Sequence, residues 1–167
     1  IPMQKYLRQP YRKVVLGSAW PTFRINYECG IPDLFGSDLN HHYLQGSISQ
    51  TFKIGTIGTS NYRISGGKFL SAKILRDPDF KFQRRSDPLW FSNPLYSFQG
   101  LDTLLRTSDL SIEAHFVHHD NGSIINKIPF MKKTRIGLVF GAGALYVREH
   151  DWLHYEGLVG LERNFKL

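Results

Sequence analysis

Three residues able to hold a metal ion or move a proton fall within one short stretch. Glu113, His115 and His119 lie in "DLSIEAHFVHH", residues 109 to 119. Two imidazoles and a carboxylate are a zinc-type donor set. Their spacing argues against that use. If the stretch is a strand, same-face neighbours lie about 7 Å apart, so three of them form a line and do not converge on one ion. His118 points to the opposite face. The reading kept is a polar cluster on one strand face, with no metal and no cofactor expected. His41 and His42 follow loop-like sequence and read as polar loop residues.

No nucleophile machinery is visible. The chain has no Gly-x-Ser-x-Gly elbow, no phosphate-binding loop and no His-Glu-x-x-His. Asp77 and Asp79 flank Pro78, which is turn chemistry and not an acid–base pair. "DNGS", residues 120 to 123, carries an Asn-Gly turn signal. The single cysteine, Cys29, excludes an intrachain disulfide and a cysteine metal cluster. The expectation is a protein that is not an enzyme.

The elements that would carry these residues alternate. In "PTFRINYEC", residues 21 to 29, Phe23, Ile25, Tyr27 and Cys29 share one face, while Thr22, Arg24, Asn26 and Glu28 share the other. Residues 42 to 54 put Leu44, Gly46, Ile48, Phe52 and Ile54 opposite Tyr43, Gln45, Ser47, Ser49, Thr51 and Lys53, with Gln50 as the exception. Residues 60 to 70 put Tyr62, Ile64 and Gly66 opposite Arg63, Ser65 and Gly67. Residues 109 to 119 set Leu110, Ile112, Ala114 and Phe116 against Ser111, Glu113, His115 and His119. Residues 135 to 147 are glycine-rich and apolar on both faces, and 153 to 165 end the chain with a last strand. The spacing predicts six strands, beginning with residues 20 to 29, and no amphipathic helix. A long stretch near 74–107, with Pro78, Pro88 and Pro94 among Trp90, Phe91, Tyr96 and Phe98, breaks the pattern and reads as a functional loop, whose residues 93–107 are either partly ordered or pair as a further strand.

Bulk properties narrow the class. The 167 residues suit one domain, 1–167, with 41% hydrophobic and 14% aromatic residues. No stretch approaches the ~18 apolar residues of a membrane helix, and "IPMQKYLRQP" carries no signal-peptide pattern. The net charge of +7 favours anionic surroundings. The charge is scattered, and its denser clusters, Lys81 to Arg85 and Lys132 to Arg135, are short and loop-like, so no nucleic-acid partner is expected. Alternating strands of this length fit a soluble sandwich or barrel, and equally a transmembrane barrel of ~9–11-residue strands. The latter needs at least about eight strands, which six or seven cannot close.

Four phrases carry a family resemblance: "QKYLRQPYRKVVLGSAWPTFRINYECGI", "GSDLNHHYLQGSISQTFKIGTIGTSNYRISGGKF", "HFVHHDNGSIINKIPFMKKTRIGLVFGAGALY" and "EGLVGLERNFKL". Within them stand Gly17, Ser18, Trp20, Pro21 and Thr22, then Gly36, Ser37 and Asp38, then Tyr62, Arg63, Gly67 and Lys68. His118, His119, Gly122, Asn126, Lys127, Ile128, Pro129, Lys132 and Lys133 follow in order. Together they resemble the C-terminal part of a Bacteroidota outer-membrane β-barrel family of unknown function. Its full-length members carry a carboxypeptidase-regulatory-like domain before the barrel. Asp120 departs from the family, which favours an aromatic there, and residues 76 to 101 are only loosely similar.

The resemblance implies an all-β fold: a segment of an antiparallel transmembrane β-barrel, six to eight strands of it, similar in shape to barrels of the BamA and TamA kind. It implies that Phe23, Ile25, Tyr27, Leu44, Ile48, Phe52, Tyr62, Ile64, Ile112 and Phe116 face lipid. Arg24, Glu28, Arg63, Glu113, His115 and His119 then face the lumen. Location in the bacterial outer membrane follows, with outer-membrane lipid or lipopolysaccharide and other envelope proteins as partners. The role implied is transport, assembly or structure in a cell-envelope complex. In "NKIPFMKK", residues 126 to 133, the lysines would reach headgroup phosphates, or the segment would rest on the barrel end. The alternative is a soluble β-barrel or sandwich binding an apolar ligand or protein partner. A barrel enzyme working from Glu113, His115 and His119 is a third reading.

Overall fold

The computed structural model describes residues 4–18, 20–32, 38–87, 89–102, 105–120, 122–124, 127 and 136–163, with the backbone alone for 4–7 and 14–18. Strands β1 (Gln4–Gln9) and β2 (Arg12–Ser18) form a separate antiparallel hairpin. The next strands are β3 (Thr22–Gly30), β4 (Asn40–Ile54) and β5 (Gly58–Ile74). Two short strands, β6 (Lys81–Phe82) and β7 (Arg106–Thr107), follow and pair with each other. Strands β8 (Leu110–Asp120), β9 (Ile136–Val147) and β10 (Trp152–Arg163) complete the chain.

Six of these strands make one antiparallel sheet in the order β10-β9-β8-β5-β4-β3. The order is a meander: each strand pairs with the next long strand in the chain. The β4–β5 connection is a turn over residues 55–57 with Gly55 at φ 51°, a left-handed backbone that glycine adopts without steric cost. The β9–β10 connection is a single 3-10 turn, Arg148–His150, closed by a bond of 3.1 Å from the Asp151 N–H to the Arg148 carbonyl. Asp120 ends β8 by accepting from the N–H groups of Gly122, Ser123 and Ile124 and from the Ser123 hydroxyl.

Register decides which side chains share a face. One row runs Phe23, Ile48, Ile64, Ala114, Ala144, Tyr155 across all six strands. The adjacent row on the opposite face runs Arg24, Ser47, Ser65, Glu113, Leu145, His154. A one-residue slip of any strand would exchange its faces, so the alternation locks the pairing. Gly58 protects this register at the turn end. A Cβ there would fall 2.0 Å from the His119 carbonyl oxygen of the neighbouring strand. Backbone cannot step aside as a side-chain tip can. Gly58→Ala is therefore expected to destabilise the fold by about 1–3 kcal/mol, read as an earlier urea midpoint.

The described residues form an open sheet with β3 and β10 at its edges, and no closed barrel. The strands differ from the sequence expectation in three places. His41 and His42, read as loop residues, lie inside β4. The β1–β2 hairpin was not foreseen, because "QKYLRQPYRKVVLGS" lacks clean alternation. Within 93–107, only Arg106–Thr107 adds a strand; Phe98 makes one isolated parallel bridge to Arg85. Most of 126–133 lies outside the described residues, as do Gly36, Ser37 and residues 164–165 of the last strand.

The buried core lies on one side of the sheet alone. There the β5–β8 connection folds back as a strap. Phe98 and Leu101 of the strap and Leu145 and Val147 of β9 form the buried cluster, with Leu105 and Trp152 packed against it. Phe98 is held by backbone bonds, its N–H to the Arg84 carbonyl at 2.9 Å and its carbonyl from the Ser86 N–H at 2.7 Å.

Candidate functional site

The sheet has two unlike faces, and each is a candidate site. The first carries the ten residues expected to face lipid. All ten fall on the same side. Tyr62 is half-buried, and the other nine are between 36% and 79% exposed. Tyr155, Val159, Leu161 and Leu153 extend the face across β10. Among the described residues the buried hydrophobic core lies on the other side, and apolar residues recur on this side from one edge strand to the other. That is far more than the isolated apolar residues normal on a soluble monomer.

Three polar pairs on this face satisfy one another. The Tyr27 hydroxyl pairs with His42 Nδ1 at 2.7 Å. The Tyr62 hydroxyl donates to Gln50 Oε1 at 3.1 Å, and the Ser60 hydroxyl pairs with His118 Nδ1 at 2.8 Å. Gln50, which interrupts the apolar alternation of β4, thus has its carbonyl oxygen engaged by a neighbour. Such pairing removes the penalty that an unmet polar group incurs away from water. Lys68 lies in the row Tyr27, Leu44, Lys68, Leu110, towards the end of the sheet with the longer β3–β4 and β5–β8 connections.

The opposite face is polar and partly covered by the strap. The six residues expected to face a lumen, Arg24, Glu28, Arg63, Glu113, His115 and His119, all lie on this side, in different surroundings. Glu113 accepts from Arg63 at 3.1 Å and from the Ser65 hydroxyl at 2.5 Å. Glu28 binds Lys81 of β6, whose ammonium sits 4.8 Å from the Tyr43 ring centre. His119 pairs with Glu162 at 2.9 Å. Arg24 is exposed. His115 is buried beneath Phe98, with ring centres 4.4 Å apart.

Glu113, His115 and His119 therefore share a face, while each is committed to a different neighbour. Among the described residues no group of three or more histidine, cysteine, aspartate or glutamate side chains is arranged to hold a metal ion. A polar cavity of about 120 Å³ lies between the sheet and β6, lined in part by Glu28, Tyr43, Ser65, Lys81, Gln83 and Glu113. Gln83 Oε1 is buried there without a protein partner. A space of this size and polarity suits a few bridging waters.

Strap and sheet also meet through Glu156 and His154 of β10, which the sequence did not single out. Glu156 of β10 accepts from the backbone N–H of Gln99 at 2.8 and 3.0 Å and of Gly100 at 2.9 Å. The Phe98 ring lies edge-on to His154, 5.8 Å between centres. Arg63 stacks over Tyr96 at 5.2 Å. Alternation along "HYEGLVGLE" does assign His154 and Glu156 to the polar face. Nothing local announces that a segment more than fifty residues away supplies their partners.

No described helix is long and apolar enough to cross a membrane, which does not bear on crossing by strands. The family model for the C-terminal domain of a family of unknown function, DUF5686, matches residues 1–161. No curated protein and no solved structure matches the chain.

Proposed function

The chain belongs to the DUF5686 family, as its C-terminal domain, and from that premise we propose that it forms part of the wall of a non-enzymatic outer-membrane β-barrel. Its role is transport, assembly or structure within a cell-envelope complex. The observation that carries the reading is the apolar face of the sheet, with large apolar side chains exposed on β3, β4, β5, β8 and β10 and half-buried on β9, and with three polar pairs there closed among themselves. Such a face suits hydrocarbon, where every polar group has to be met within the protein.

The dimensions fit. The face spans six rows, from that of Tyr27 and Leu44 to that of Ile54, Leu138 and Leu161. Five steps of about 6.8 Å make about 34 Å along the strands, or about 26 Å at a barrel tilt near 40°, close to the ~25 Å apolar band of such barrels. The unpaired edges of β3 and β10 would continue into further strands, since an open edge is untenable in lipid. The motif resemblance supports a Bacteroidota outer membrane, a preceding carboxypeptidase-regulatory-like domain, and lipid or lipopolysaccharide against Phe23, Ile25, Ile64 and their neighbours.

The test is extraction and gel mobility of the full-length protein. Release from envelopes only by detergent, with a folded band that shifts on boiling, is the expected result. A detergent-free, soluble monomer would overturn the reading and turn the same face into a surface for an apolar ligand or protein partner.

A further inference from the structure

We propose that the strap, residues 75–109, is a releasable plug on the inner side of the barrel wall, latched by Glu156. The inference rests on the barrel reading above and adds a moving part to it. Three observations converge on it.

The first is the latch. The backbone N–H groups of Gln99 and Gly100, next to the buried Phe98, converge on one carboxylate. The Glu156 side chain is 10% exposed, so its charge-assisted bonds to Gln99 are part-buried, while the bond to Gly100 lies at the exposed rim of the seat. The seat is shaped for them. A Cβ at Gly143 would fall 2.9 Å from Glu156 Cγ and 3.1 Å from Phe98 Cε1, so the glycine leaves the room that both latch and ring occupy.

The second is an alternative partner for the same oxygen. His154 Nε2 lies 3.5 Å from Glu156 Oε2, the atom that Gln99 and Gly100 engage. When the strap lifts, Glu156 need not stand alone, because the imidazole can take the place of the two amides. A carboxylate that can trade its two amides for an imidazole already 3.5 Å away has a second arrangement to adopt, which is what a switch requires.

The third is the state of the seat when closed. No hydrogen bond of good geometry reaches Nε2 of His154 or either ring nitrogen of His115, which the Pro94 backbone approaches, beneath Phe98. Water would satisfy them if the strap withdrew. The closed form therefore combines a strong latch and a buried aromatic ring with unmet polar groups, a balance suited to opening without unfolding. Tyr96 on Arg63 and Lys81 on Glu28 add contacts that also end on hydratable charges.

The experiment uses the full-length protein in detergent micelles and in lipid vesicles. Cys29→Ser removes the native thiol, and Ser97→Cys places a reporter in the buried part of the strap, where Ser97 is 2% exposed. A membrane-impermeant maleimide then reads strap opening. In the parent, labelling is expected while the folded, heat-shifting band persists. Labelling only as fast as that band is lost would mean the strap does not open separately, and would overturn the proposal without any further variant.

Glu156→Ala is expected to speed labelling by about tenfold or more and to raise ion conductance of the reconstituted protein. Gly143→Ala, which crowds Phe98 and Glu156 while leaving the carboxylate in place, is expected to do the same. Unchanged labelling in a folded Glu156→Ala protein would sink the latch. Absence of detergent dependence or of a heat-shifted band would instead sink the barrel reading, which the labelling rate does not address.

Discussion

Phe98→Ala is expected to destabilise the seat of the strap by about 3–5 kcal/mol, the range for removing a large aromatic ring from a filled site. Phe98 is fully buried and meets Leu101, Leu145 and Val147 in the buried apolar cluster beneath the strap. Its ring also covers His115 and His154. Removing it deletes the apolar contact and opens a cavity over unmet imidazole nitrogens, which water then enters. The measurement is urea unfolding of the folded protein in detergent, followed by fluorescence. Trp152 packs against the cluster and senses its loss. Phe91→Ala is the matched control, because Phe91 belongs to the same strap and is 73% exposed. It is expected to change stability by about 0.5 kcal/mol or less. Equal effects of the two would mean that Phe98 is not the anchor of the strap.

Ile64→Arg separates the two environments open to the apolar face. Ile64 lies mid-strand in the row that crosses all six strands, between Ile48 and Ala114. If the face contacts hydrocarbon, arginine near mid-depth is expected to cost about 2–4 kcal/mol. If it contacts water, arginine is a surface substitution worth about 0.5 kcal/mol or less, since Ile64 is already 46% exposed. Folding into lipid vesicles, compared between Ile64 and its arginine variant, gives the difference. A negligible cost would show that this face does not meet lipid. The same substitution at Lys53, which lies on the polar face, is expected to be neutral in either environment.

The two predictions probe opposite sides of one sheet, and they divide along the line between what was legible and what was not. Side-chain facing was legible. Phe23, Ile25 and Tyr27 against Arg24 and Glu28 is a period of two, and the period of a strand is local geometry that no distant contact needs to set. The six long strands followed from the same signal, with ends misplaced by a few residues because turns and bulges, such as the register shift between His42 and Tyr43, are not encoded in alternation. The β1–β2 hairpin was not legible, since Val14, Val15 and Leu16 run together without alternating.

The residues of the strap show the other side of that line. Its prolines and aromatics marked it as unusual, but composition alone left Phe98 and Trp90 equivalent. The structure makes one the buried anchor and leaves the other 76% exposed. Glu113, His115 and His119 looked like one cluster because they share a strand, and became three separate sites once Arg63, Phe98 and Glu162 arrived from other elements. Glu156 was an ordinary polar-face glutamate until two amides more than fifty residues earlier in the chain were brought onto it. By itself the sequence determined the six long strands and the apolar and polar faces of β3, β4, β5 and β8, because these depend on spacing within one strand. Only the tertiary structure decided where the strap sits, which ring fills the seat and which carboxylate holds it, because those pairings depend on chain closure over long separations that local pattern does not carry.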